Sequence, residues 1–232
     1  MKQEKRIPFA PGFQTTEQME EMISQGQEYM KLMSYYSCAM LEVETKFKVL
    51  NMEFSSQFDR NPIESIQTRL KRPRSIIEKM QRIGEPLTVE RIEASLNDIA
   101  GVRVICSFVD DIYRLAEMLE KQDDVRIVKI KDYIRNPKPG GYRSLHLIVE
   151  IPIFLSNEKR FMRVEVQFRT IAMDFWASLE HKLRYKKSIP ADHAQQIAQQ
   201  LLACAKIIGQ MDDQMLDIRR QIEQSGERDD WQ

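Results

Sequence analysis

Cysteine and histidine are scarce in this chain of 232 residues, with three of each. Cys38, Cys106 and Cys204 are odd in number and far apart, which fits reduced thiols better than a disulfide framework. His146, His181 and His193 show no ligand spacing with those cysteines, so no zinc site is read. Net charge is absent as well, since 35 Lys plus Arg balance 35 Asp plus Glu. Without a global basic field, no obligatory nucleic-acid partner is expected, and any cationic cluster must act locally. Long apolar runs are missing. The longest, around Leu145 to Leu155, is broken by His146 and Glu150 and falls short of the ~20 residues of a membrane span. The charged start, Met1 to Arg6, has no apolar stretch behind it and does not read as a signal peptide. A soluble cytoplasmic chain with no membrane partner is the expectation.

Hydrophobic residues make up 42% of the chain, enough for a packed core. Two heptad seams frame it. The first runs Met22, Gly26, Tyr29, Met33, Tyr36, Met40, Val43, Phe47, Leu50, Phe54. A capping box at Thr15 and Gln18 opens that helix. The second runs Ala194, Ile197, Leu201, Cys204, Ile208, Met211, Met215, Ile218, Ile222. Either both helices pack on their own domain, or they pack partly on another subunit. The chain therefore divides into an N-terminal arm and helix (1–60), a central domain (61–187) and a C-terminal helix (188–232).

The central domain alternates element types. Strands are predicted over Ile63–Leu70, Ile99–Phe108, Val125–Lys131, Ser144–Ile151 and Phe161–Arg169. Helices are predicted over Pro73–Arg82, from Asp110 to Leu119, and over Ile171–Lys186. This is an α/β (α+β) pattern with a mixed sheet surrounded by helices. The last strand alternates without a fault: Val164, Val166 and Phe168 take one face, and Arg163, Glu165, Gln167 and Arg169 the other. Glu165 and Gln167 stand roughly 7 Å apart on that face. Thr170 then suits a helix cap.

Four groups of residues bear chemistry. From Arg69 to Arg82 six cations face one acid, Glu78, a candidate seat for polyphosphate. Ser75, Lys79 and Arg82 share one helix face there. Asp98 and Glu165 are two carboxylates of the kind magnesium-dependent phosphoryl chemistry uses, although Asp98 reads equally as a turn residue. Gly140-Gly141-Tyr142-Arg143-Ser144-Leu145-His146 offers close backbone approach and an aromatic platform, or simply a turn before a strand. On the last helix of the domain, Asp174, Ser178, His181 and Tyr185 form a polar stripe. Phe175, Trp176, Leu179 and Leu183 form its apolar side.

Taken in order, the motifs resemble the Rel-type alarmone synthetase domain. They are Arg69 with Ser75 and Lys79, Asp98 to Arg103, Gly141 to His146, and Glu165 to Thr170. The chain is most similar to the small, single-domain (p)ppGpp synthetases of Gram-positive bacteria, over residues 62 to 186. The resemblance implies a nucleotidyltransferase-like sheet, a homotetramer, and transfer of the ATP pyrophosphate to the 3′-hydroxyl of GDP or GTP. Synthesis without hydrolysis is implied. By motif, Arg69 and Arg103 hold the adenine, and Lys71, Ser75, Lys79, Arg82 and Lys131 its phosphates. Asp98 holds Mg2+, and Glu165 shares the metal or acts as base. Tyr142 stacks on guanine, with Gln167 and Asp174 on the acceptor side and Lys138 and His146 at the acceptor phosphates. Asp174 stands where many members carry Asn. Strict alternation sets Asp98 and Arg103 on opposite faces, so a bulge at Gly101 is expected. Two rival readings are a nucleotidyltransferase acting on nucleic acid and a catalytically silent nucleotide- or RNA-sensing oligomer.

Overall fold

The strand Lys159–Thr170 (β5) is the middle strand of a five-stranded sheet in the computed structural model, which describes residues 16–184 and 191–225. In chain order the elements are α1 (Thr16–Gln57), β1 (Ile63–Leu70), α2 (Pro73–Ile83), α3 (Val89–Ser95), β2 (Ala100–Cys106) and α4 (Val109–Glu120). Then come β3 (Arg126–Asp132), β4 (Leu145–Phe154), β5, α5 (Ile171–Arg184) and α6 (Ala191–Gln224). The strand order is β1-β2-β5-β4-β3, and the β2–β5 pair is parallel while the others are antiparallel. The sheet is therefore mixed, as the alternation of elements implies.

Alternation along β5 divides the molecule. Val164, Val166 and Phe168 are fully buried and meet α1, where the Phe47 ring lies edge-on to Phe168 at 5.6 Å. Tyr36, Ala39, Val43 and Phe47 of α1 join Val102 and Val104 of β2 and Leu147 and Val149 of β4 in one core. Each Val, Leu or Phe among them contributes about 1.5–3 kcal/mol on burial. The seam of α1, from Met33 to Phe54, thus packs largely on its own sheet. Thr15 of the proposed capping box lies outside the described residues.

The seam of α6 behaves differently. Met211, Met215, Ile218 and Ile222 are each about half exposed. The face of α6 turned to the domain lies one residue further on, at Ala205, Gly209, Asp212 and Leu216. The domain offers polar anchors there: Thr170 Oγ1 donates to Asp212 Oδ2 at 3.0 Å, and Arg219 pairs with Asp110. Polar complementarity, invisible to an apolar pattern, sets which stripe turns inward. On α5, Trp176 is buried, but Phe175, Leu179 and Leu183 are exposed, so the predicted apolar side is only partly covered. Tyr185 is outside the described residues.

Two local expectations need correction. Helix α3 was not predicted between Pro86 and Asp98. Thr88 caps it by accepting from the Arg91 N–H, a single weak signal in a short segment. The bulge expected at Gly101 does not occur. The β2 register runs unbroken past Gly101 on both the β1 and β5 sides. Asp98 lies outside the strand, in the turn after α3, where Lys71 N–H donates to the Ile99 carbonyl at 2.8 Å. That turn frees Asp98 from strand alternation.

Candidate active site

The register of the sheet builds the site. Across the polar face, Gln67, Arg103, Gln167, His146 and Lys131 line up as one row over five strands. The neighbouring row contains Arg69, Gly101, Glu165 and Ile148. Gly101 leaves a bare gap between Arg69 and Glu165, because it has no side chain to fill it. Strands from both ends of the sequence thus set cations, a carboxylate and amides side by side.

Two cavities open on this face. The larger, about 650 Å³, is lined by Arg69, Lys71, Asp98, Gly101, Arg103 and Glu165, and by Ser178 and His181 of α5, among others. The smaller, about 390 Å³, is lined by Lys79, Lys131, Tyr133, Lys138 and His146, among others. Asp98, Tyr142, Glu165 and Gln167 line both. Two chambers that meet at two carboxylates are suited to bringing two ligands together at one reacting point.

The carboxylates are held by different partners. Lys71 Nζ donates to Asp98 Oδ2 at 2.9 Å, and Lys79 Nζ lies 2.7 Å from Oδ1. Burial alone would raise the Asp98 pKa, but the two ammonium groups outweigh it and hold the carboxyl below its ordinary value. Glu165 Oε1 lies 3.2 Å from His146 Nδ1, and Oε2 accepts from Gln167 Nε2 at 2.8 Å. Burial again pushes upward and is outweighed, here by His146 and Gln167, so Glu165 too is held below the usual range. Both groups are ionised at neutral pH, the state that metal binding or proton acceptance requires.

Residues 68–190, more than half of the chain, match the family described as "Region found in RelA / SpoT proteins". The chain belongs to the RelA/SpoT family. It is 41% identical over 205 residues to the GTP pyrophosphokinase YwaC of Bacillus subtilis, which covers 88% of this chain and 97% of that protein. It also matches the small alarmone synthetase 1 of Bacillus subtilis bound to its product pppGpp. That match has a TM-score of 0.78 and 35% identity, covering 84% of this chain and 98% of that one. The same synthetase bound to AMPCPP matches with a TM-score of 0.71 and 32% identity, covering 85% of this chain and 98% of that one.

Within this RelA/SpoT region most of the residues singled out in the sequence fall at the two cavities. Arg69, Lys71 and Arg103 line the larger one, and Lys131, Lys138 and His146 the smaller. Lys131 thus lines the same cavity as Lys79 and Lys138, apart from Lys71. Lys79 reaches the smaller cavity and Asp98. Ser75 and Arg82 lie on α2 and line neither cavity. Asp174 also lines neither. It accepts from Arg169 Nη1 at 2.8 Å and from Arg103 Nη1 at 3.3 Å, so it bridges two arginines and offsets part of their charge.

Tyr142 sits in an aromatic cluster with Tyr133 and His146, and the Lys138 ammonium lies over the Tyr133 and Tyr142 rings at 4.6 and 5.1 Å. The turn before it depends on Gly141, whose φ is +91° and whose missing Cβ would come within 2.5 Å of Ala205 on α6. Trp176 of α5 donates to the Leu201 carbonyl and helps seat α6 there. Sequence reasoning gave Arg169 no role. It is 5% exposed and bonds Asp174, Tyr142 and Gln167. The available signal is a cation on the same strand face as Glu165 and Gln167.

The donor set also bears on a metal. Asp98 Oδ1 is buried, with the Lys79 ammonium 2.7 Å away as an ion pair and no well-aligned hydrogen bond. Among the described residues no cluster of three His, Cys, Asp or Glu forms a protein-only cage. Two oxygen donors beside open space fit Mg2+, which keeps waters and shares its shell with substrate phosphates.

Proposed function

We propose that this chain is a GTP pyrophosphokinase that moves the terminal pyrophosphate of ATP to the 3′-hydroxyl of GDP or GTP, yielding (p)ppGpp and AMP. The observation that carries the reading is the pair of cavities meeting at Asp98 and Glu165. The YwaC match and the pppGpp- and AMPCPP-bound relatives support it. ATP enters the larger cavity, with its adenine between Arg69 and Arg103. Its phosphates run toward Lys71 and Lys79, within reach of Ser75 and Arg82 on the same helix. The guanine nucleotide enters the smaller cavity against Tyr142, with Lys131 and Lys138 meeting its phosphates, while His146 lines the same cavity and is held between Tyr142 and Glu165. Glu165 accepts the 3′-hydroxyl proton as the oxygen attacks the β-phosphorus of ATP in line and AMP leaves. Asp98, with Glu165 nearby, would hold Mg2+, which would supply charge neutralisation on the transferring phosphates. The protein does little covalent work, and positioning and electrostatics carry the rate.

Synthesis is the only activity proposed, in a cytoplasmic enzyme where these nucleotides are found. We also propose a homotetramer. The exposed apolar rows on α5 (Ile171, Phe175, Leu179, Leu183) and α6 (Met211, Met215, Ile218, Ile222) support self-association. Incubation with ATP, GDP and Mg2+, followed by separation of products, tests the function. Equal yields of AMP and ppGpp are expected. ATP consumed to ADP, or no ppGpp, would refute it.

A further inference from the structure

Both oxygens of Glu165 trace back to one guanidinium nitrogen. In one arm, Arg169 Nη2 lies 3.3 Å from Gln167 Oε1, and Gln167 Nε2 donates to Glu165 Oε2 at 2.8 Å. In the other, Arg169 Nη2 lies 2.7 Å from Tyr142 Oη, Tyr142 Oη lies 2.8 Å from His146 Nε2, and His146 Nδ1 lies 3.2 Å from Glu165 Oε1. The two arms close a ring of five side chains.

With the His146 ring neutral, the chemistry of the ends decides the direction of every bond between them. Arginine only donates and an ionised carboxylate only accepts. Gln167 must therefore turn its carbonyl to Arg169 and its amide to Glu165. Tyr142 accepts from Arg169 and so has its own proton free for His146 Nε2. His146 then carries its proton on Nδ1 and donates it to Glu165. Asp174 fixes the origin of both arms, because it takes the other guanidinium nitrogen, Nη1, at 2.8 Å. Arg169 itself lies across the Tyr142 ring at 5.1 Å.

We infer that Arg169 is a positioning residue for the transfer reaction. It orients Glu165 through two unidirectional hydrogen-bonded arms and sets the His146 ring in its Nδ1–H form. Arg169 lines the larger cavity, and its action on the reacting atoms runs through Glu165. A lysine in its place keeps the charge but not the planar fork that serves Asp174, Tyr142 and Gln167 together. This inference rests on the synthetase reading for its kinetic part and on the geometry alone for its tautomer part.

The experiment uses the full chain in three forms: wild type, Arg169→Lys and Arg169→Met. In 15N-histidine-labelled wild type without nucleotide, at a pH where the ring is neutral, the His146 signals are expected to show Nδ1 protonated and Nε2 bare. The assignment is made with His146→Asn. Arg169→Met is expected to lower kcat by about 10²-fold, the scale of an ångström misplacement at a reacting centre, with the KM for ATP little changed. Arg169→Lys is expected to recover part of the loss. If Arg169→Met does not fold, Tyr142→Phe tests one arm, with a fall in kcat and an unchanged KM for ATP expected. A His146 ring protonated on Nε2, or an unchanged kcat in Arg169→Met or Tyr142→Phe, would overturn the inference. A wild type that makes no ppGpp would sink the synthetase reading instead, and would leave the tautomer result standing.

Discussion

Lys71 and Lys79 grip the two oxygens of Asp98 from different elements, Lys71 from the end of β1 and Lys79 from α2. The basic segment and the carboxylate are therefore one electrostatic unit. Asp98→Asn should leave two ammonium groups around a neutral amide. Turnover should fall by about 10²-fold or more, since the proposed metal ligand and the lysine geometry are lost together. Raising Mg2+ should not restore it. Full recovery at high Mg2+ would show that Asp98 only tunes affinity.

The same carboxylate predicts a pH signature in stability. Asp98 is more acidic folded than its ordinary value of 3.8, so its stabilising effect is fully present above that value and is lost as pH falls through the folded one. Asp212 has the opposite sign. Burial raises its pKa, only partly offset by Thr170 and Arg143, so its contribution is present at low pH and lost as pH rises. In urea melts, the destabilisation by Asp98→Asn should grow between pH 3 and 7. That by Asp212→Asn should shrink over the same range. Parallel trends in the two variants would show that the burial of these groups has been misread.

Gly141→Ala should be costly for two reasons. Its φ of +91° disfavours any side chain, and the new methyl would come within 2.5 Å of Ala205 Cβ. About 1–3 kcal/mol of destabilisation is expected. Because Tyr142 is the next residue, acceptor affinity should fall more than ATP affinity. Calorimetry on both nucleotides checks the split, and equal losses would point to general unfolding.

Tyr142→Ala removes the platform itself. Loss of a stacking partner should weaken GDP or GTP binding by about 1–3 kcal/mol. ATP binding should change much less, because the adenine is proposed to sit between Arg69 and Arg103 and not on Tyr142. Equal weakening of both nucleotides in titrations would assign Tyr142 to the fold.

Met211→Glu with Met215→Glu changes two side chains that are each 52% exposed. The protomer should fold normally, with an unchanged circular dichroism spectrum. The oligomer should dissociate, as measured by light scattering. A wild type that is monomeric at micromolar concentration would refute the tetramer.

Local pattern sufficed where one chemical rule governs a whole segment. The alternation of Val164 to Arg169 identified β5 and its polar face, because strand geometry alone assigns side chains to faces. The basic run from Arg69 to Arg82 and the paired glycines before Tyr142 were legible for the same reason. Tertiary structure decided whatever depends on which strands become neighbours. The order β1-β2-β5-β4-β3 puts Arg103, Gln167, His146 and Lys131 in one row, though they lie far apart in the chain. The turn at residues 97–99, not a bulge at Gly101, brings Asp98 to the site, because a long-range hydrogen bond from Lys71 holds it. The inward stripe of α6 was set by Thr170 and Asp110, partners that no apolar periodicity reveals. Arg169 and Asp174 acquire their meaning only in the fold, where a buried guanidinium must find every acceptor within reach.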